Sequence, residues 1–194
     1  MIETLKDKVN GDAGLTRRGR YLTTTFLLRG PGFSLTEVGA INKGFGLAAT
    51  ILGALAGGAL MAKMRLYRAL LLFGLLQAVT NLGFMALAAA GKSYPLMVAV
   101  VGLENLCGGM GTAAYVALLM ALCDRRFSAT QYALLSALSA VGRVYVGPAA
   151  GYLVAAAGWT TFFFFTFLIA LPGLALLVGM RARIDALDAA PRSA

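Results

Sequence analysis

The sequence predicts an all-α protein, a polytopic bundle of transmembrane helices, and three observations carry that prediction. Of 194 residues, 59% are hydrophobic and 13% charged, about half the charged share of a soluble domain. Mean hydropathy is +0.78. The charges are also clustered, leaving apolar stretches of about 20 residues or more, the length a helix needs to cross a ~30 Å hydrocarbon core. Together these exclude a soluble globular enzyme, a disordered tail and a disulfide scaffold. Within lipid a backbone must satisfy its own hydrogen bonds, so the stretches are helices.

The elements follow in order. Residues 1–20 are polar and carry Lys6, Lys8, Arg17, Arg18 and Arg20. The stretch 21–30 (YLTTTFLLRG) is too short to span alone and is expected at the membrane interface. Five longer apolar segments follow, at 37–62, 66–90, 94–123, 127–157 and 159–180, and 181–194 is left as a tail. Ser34 and Glu37 have capping-box spacing, with Phe33 and Val38 placed as the hydrophobic staple; Ser128 and Gln131 repeat it between Phe127 and Tyr132. Pro95 suits a first helical turn. Pro148 and Pro172 are interior and predict kinks.

The net charge of +9 does not point to nucleic acid, because the basic residues lie at the ends of apolar segments. Lys63, Arg65 and Arg68 occupy one turn, Arg125 and Arg126 another, and Arg181 and Arg183 follow the last segment; the alternate turns hold Lys92 or no charge. This asymmetry predicts a cytoplasmic C-terminus. There is no histidine, and Cys107 and Cys123 form no CxxC, so no cofactor, metal site or catalytic set is expected. No apolar core follows a basic head at the start, so no cleavable signal is expected.

Charged and polar groups inside the apolar segments are the candidate site, because a buried charge costs at least a few kcal/mol even on insertion scales. Glu104 and Arg143 lie near the middle of successive segments. Tyr132, Ser136, Ser139 and Arg143 share one helical face; Glu104, Gly108, Gly111 and Tyr115 share another; Gln77 and Asn81 share a third. Lys43 lies about two turns inside its segment beside Asn42. Glu104 with Arg143 or Lys43 has two readings, a structural ion pair or a direct part in transport. Gln77 and Asn81 are either interhelical glue, worth ~1 kcal/mol, or cavity contacts. Gln131 reads as a cap. Gly53/Gly57 and Gly147/Gly151 have the spacing of close-packing faces, and Gly108 and Gly111 are assigned to packing too. CGGMG at 107–111 lies within a helix and implies no phosphate site. The FFFF run at 162–165 reads as lipid-facing bulk.

These residues also carry a resemblance. The segments TTTFLLRGPGF (23–33), EVGAINKGFGL (37–47), ENLCGGMGTAAYVALLMALC (104–123), FSATQYALLSALSAVGRVYVGPAAG (127–151), W-x-x-F (159–162) and LPGLALL (171–177) resemble the C-terminal half of AmpG-type muropeptide permeases of the major facilitator superfamily. The turn GGALMAKMR (57–65) resembles that superfamily's glycine-plus-basic cytoplasmic loop. The likeness covers about residues 21–180. It implies half a major facilitator fold, about six helices, in a multi-pass protein of the bacterial inner membrane. The implied activity is proton-coupled import of GlcNAc–anhydroMurNAc peptides for cell-wall recycling, with induction of β-lactamase downstream. The implied partners are the muropeptide, protons, the lipid bilayer and an N-terminal half; nucleic acid is not among them.

The sequence departs from the family pattern at GLTRRGR (14–20), where three arginines replace apolar residues of a first helix. That break predicts a truncated or frameshifted reading frame, with residues 1–20 not native transmembrane sequence. No binding residue is carried over from the family. Glu104 is the candidate protonatable group, and Arg143, Lys43, Gln77, Asn81 and Asn105, with Ser136, Ser139 and Tyr115, are the candidate cavity contacts. Two rival readings stand beside this one: a facilitator for another bulky anionic cargo such as an acyl-CoA or a drug, and a non-transporting membrane scaffold. A membrane enzyme ranks last, because no nucleophile with a base is present.

Overall fold

A computed structural model describes residues 22–124 and 127–189, with side chains described except at 22–23, 142–149, 151 and 188–189. Within these residues the chain forms α1 (Leu22–Arg29), α2 (Leu35–Met61), α3 (Leu66–Ala90), α4 (Tyr94–Leu122), α5 (Ser128–Gly179) and α6 (Arg181–Ala189). Among the described residues, four stretches are long and apolar enough to cross a membrane: α2, α3, α4 and Tyr152–Gly179 of α5. The remaining predicted span, 127–157, is helical from Ser128 onward, and several of its side chains are not described. The polar segment 1–20, the arginines at 125–126 and residues 190–194 lie outside the described residues.

α5 breaks at Gly158, which has φ 78° and ψ 171°. Only glycine tolerates that backbone readily, so the single residue divides the helix where the sequence separates its last two segments. The helix continues with helical dihedrals through Pro148 and Pro172. The second arm, 159–179, runs back along α3: Phe163 stacks on Phe84 at 5.2 Å, and Leu177 reaches the cluster around Leu66 and Tyr67.

The end of the bundle near Gly158 is held by aromatic packing. Phe26 is fully buried, with ring centroids 4.9 Å from Phe163, 5.1 Å from Trp159 and 6.0 Å from Phe84. Each such pair contributes about 0.5–1.5 kcal/mol beyond simple burial. This matters more in lipid, where apolar surface gains little by leaving the surroundings. Phe26 and Leu27 of α1 are fully buried within the bundle. One expectation is corrected here. Phe162 and Phe163 are buried while Phe164 and Phe165 are exposed, so the FFFF run is half core, because a helical turn carries four successive residues around both faces.

The capping box at the start of α2 forms. The Ser34 hydroxyl accepts from the Glu37 N–H at 3.3 Å, and a Glu37 oxygen accepts from the Ser34 N–H at 2.8 Å. Phe33 and Val38 are buried in one cluster. The Tyr94 hydroxyl donates to the other Glu37 oxygen, and the Lys92 ammonium lies 5.6 Å from the ring centres of both Phe33 and Tyr94. Pro95 sits in the first turn of α4 as predicted. The second capping box does not form: Phe127 is the N-cap and Ser128 the first helical residue. Gln131 instead reaches back past that end, its carbonyl accepting from the Asp124 N–H at 2.6 Å.

α2 contains a turn the sequence did not announce. Residues Gly39–Phe45 are π-helical, and the Gly46 N–H bonds to the Ile41 carbonyl five residues back. Such turns insert one residue into a helix and re-aim the side chains around them; this one carries Asn42 and Lys43.

Candidate functional site

α2 and α4 approach at backbone contact. A Cβ on Gly57 would lie 2.8 Å from Cα of Met110, one on Gly53 would enter the Leu106 carbonyl, and one on Gly109 would enter that of Thr50. Gly53 and Gly57 therefore pack as their spacing predicts. Gly108 and Gly111 do not: the position of a Gly111 Cβ is open, and that of Gly108 meets Gln77 of α3, with its Oε1 at 3.5 Å. The packing glycine between them is Gly109, because the α2-facing side of α4 runs through Asn105, Leu106 and Gly109. The pair Gly147 and Gly151 lies outside the described side chains.

This approach assembles a polar chain across the two helices. The Thr50 hydroxyl lies 2.9 Å from the Gly46 carbonyl oxygen and 3.1 Å from Asn105 Oδ1. Asn105 uses both Nδ2 protons, donating to the Val101 carbonyl at 2.8 Å and to Glu104 Oε2 at 3.3 Å. Asn105 thus faces α2 while Glu104, a step round the helix, is half-buried on the side that carries Gly108, Gly111 and Tyr115, all half-buried too. The result is a carboxylate at mid-helix, tethered through one oxygen.

Gln77 of α3 stands opposite Gly108, one turn from Glu104. Its Oε1 is buried and has no hydrogen-bond partner among the described residues. An acceptor left in that state costs about 1–3 kcal/mol. Asn81 is half-buried one turn further on. Lys43 is exposed in the π-helical turn, whose neighbour Asn42 donates to Thr24 of α1 at 3.3 Å. Ser136 and Ser139 are half-buried, and their hydroxyls bond to carbonyls of their own helix, those of Ala133 and Ser136. The Arg143 side chain lies outside the described residues, and with it any pairing to Glu104.

The structure therefore joins Glu104 and Asn105 to each other and sets Gln77 beside the same helix turn. Asn81, Tyr115, Ser136 and Ser139 make no described hydrogen bond to that network. Thr50 was missed by the sequence reading; its signal is a lone threonine four residues after Gly46 in an apolar helix. Among the described residues no group of three or more metal-ligating side chains occurs.

The comparisons with known proteins agree with this architecture. The chain is 59% identical over 164 residues to the anhydromuropeptide permease of Escherichia coli (strain K12), a match covering 84% of this chain and 33% of that protein. It is 34% identical over 154 residues to putative transporter AmpG 1 of Rickettsia prowazekii (strain Madrid E), covering 79% of this chain and 35% of that one. The chain thus spans about a third of the length of these relatives, which are named as a permease and a putative transporter. The family model described as Major Facilitator Superfamily matches residues 19–193. With its long apolar helices and its mid-helix polar network, this multi-pass membrane chain belongs to the Major Facilitator Superfamily.

Proposed function

We propose that the chain supplies one half of a proton-coupled importer that carries GlcNAc–anhydroMurNAc peptides inward across the bacterial inner membrane, serving peptidoglycan recycling and β-lactamase induction. The observation that carries this reading is the 59% identity to a protein named anhydromuropeptide permease. In this superfamily the cargo site lies near the midplane between two halves, exposed alternately to either side. The present half contributes the open polar side of α3 and α4 to that site, and a second, N-terminal half contributes the facing surface.

In this reading no covalent bond of the cargo changes. Glu104 takes and releases the coupled proton, and Asn105, held by Thr50 and the Val101 carbonyl, keeps its carboxylate in place. The unpaired Gln77 Oε1 accepts from an amide or hydroxyl of the cargo. Lys43 and Arg143 offer positive charge to the peptide carboxylates, while Asn81, Tyr115, Ser136 and Ser139 line the route. Glycine packing of α2 on α4 makes the pair a rigid body, so that access changes by movement between halves.

The test is uptake of labelled GlcNAc–anhydroMurNAc–tripeptide by a strain lacking muropeptide import. Co-production of this chain with the first half of the Escherichia coli permease restores uptake, and this chain alone does not. Failure of the combination with both parts inserted overturns the reading, and uptake by the chain alone overturns the need for a second half. The same reading places the C-terminus in the cytoplasm, on the asymmetry of the basic turns. Alkaline phosphatase fused after Ala194 accordingly stays inactive, and an active fusion reverses the orientation.

A further inference from the structure

We propose that the end of the bundle built from the 63–68 turn and α6 is a binding surface for anionic phospholipid headgroups. Packing brings together two elements far apart in the sequence. Ile184 of α6 is 2% exposed and sits on Leu66 and Tyr67 at the start of α3. The Arg181 guanidinium lies over the Tyr67 ring, 5.5 Å from its centre. Arg65 lies two residues before Tyr67 and Arg68 directly after it, so this contact carries Arg181 and Arg183 to the turn that already holds Lys63, Arg65 and Arg68. All five cationic side chains are exposed.

Cations outnumber acids among the described side chains of this surface. Among the described residues one ion pair forms, Arg181 with Asp185 at 3.6 Å. Exposed like charges within a Debye length of about 8 Å repel one another, and the burial of Ile184 holds the two groups together against that repulsion. A ligand of opposite sign removes the cost. Guanidinium groups suit a phosphodiester, whose oxygens they engage two at a time.

The surroundings select a lipid over a soluble anion. Leu60, Leu176, Val178 and Met180 at this end are exposed, so the cations border apolar surface that acyl chains cover. A headgroup anchored by its own chains meets both at once, whereas a soluble polyanion meets only the charge. At the opposite end of the bundle Arg29 closes α1, and Lys92 lies against the rings of Phe33 and Tyr94 beside the Glu37 carboxylate.

The experiment counts lipids retained by the delipidated full chain from an equimolar mixture of phosphatidylglycerol and phosphatidylcholine, by native mass spectrometry. The parent chain retains phosphatidylglycerol in preference. Each cation near a membrane surface contributes about fivefold to such a preference, so R181Q/R183Q lowers it more than tenfold. R65Q/R68Q, which alters the same surface from the other element, does the same, and Ile184→Ser lowers it by releasing α6. Lys92→Gln leaves it unchanged. No preference in the parent, an unchanged preference in both double variants, or an equal fall in the Lys92 variant overturns the proposal. Displacement of the lipid by excess inorganic phosphate also overturns it, because the surface is then a site for free anions.

Discussion

Gly109→Ala is expected to destabilise the chain by about 3 kcal/mol or more, the upper end of what overpacking costs. The added methyl group meets the Thr50 carbonyl and stands 2.8 Å from the Ala54 amide nitrogen, both backbone atoms that no rotamer change can move aside. Relief requires separating α2 from α4, which also draws Thr50 away from Asn105 and loosens the tether on Glu104. Gly53→Ala meets the Leu106 carbonyl from the other side and behaves alike. Gly58→Ala and Gly111→Ala place the same group in open space and are neutral or stabilising by up to about 1 kcal/mol through helix propensity. Thermal midpoints of the purified chains in detergent check the contrast. A Gly109→Ala midpoint equal to that of the parent refutes the close approach.

Glu104→Gln, in a complete two-half transporter containing this chain, is expected to lower proton-driven muropeptide uptake at least tenfold while leaving the amount of inserted protein unchanged. Glutamine keeps the volume of the side chain and an oxygen for the Asn105 amide at 3.3 Å, so the α2–α4 interface has no reason to open. What it removes is the exchangeable proton. A purely structural carboxylate has no such requirement, and glutamine then supports uptake with the parent's dependence on the pH gradient. Uptake by the variant at the parent rate and with that same dependence assigns Glu104 to packing.

The helices were legible because lipid imposes a simple demand on sequence. A segment that crosses hydrocarbon must be long, apolar and internally hydrogen-bonded, and charges are confined to its ends. Four of the five long segments pass that test within the described residues, and the boundary at Gly158 lies between the fourth and fifth. The Ser34–Glu37 box and the position of Pro95 were legible for a similar reason, since both depend on neighbours within one turn. The box at Ser128 failed because Phe127 took the cap position and Gln131 found the Asp124 amide, a choice made between two close-lying turns.

The candidate site was legible only in part. Composition singled out Glu104, Asn105 and Gln77 as polar groups in apolar helices, and the structure sets them around one stretch of α4. It did not reveal that Thr50 joins them, that Gly109 rather than Gly108 or Gly111 is the contact glycine, or that a π-helical turn re-aims Asn42 and Lys43. Each depends on the azimuth of one helix against another, which sequence spacing defines only modulo the helical period.

The sequence by itself determined that this is a multi-pass helical membrane chain, where its long apolar segments lie, and which ionisable groups fall within them. Those properties follow from segment length, hydropathy and local capping, all of them short-range. Tertiary structure alone decided that Phe26 anchors one end through Trp159 and Phe163, that Ile184 gathers the basic residues at the other, and that Gly53, Gly57 and Gly109 bring α2 onto α4. In lipid, apolar side chains gain almost nothing by meeting one another rather than acyl chains. Shape at the point of contact therefore decides which helix faces which, and shape is a property of two surfaces that no single stretch of sequence contains.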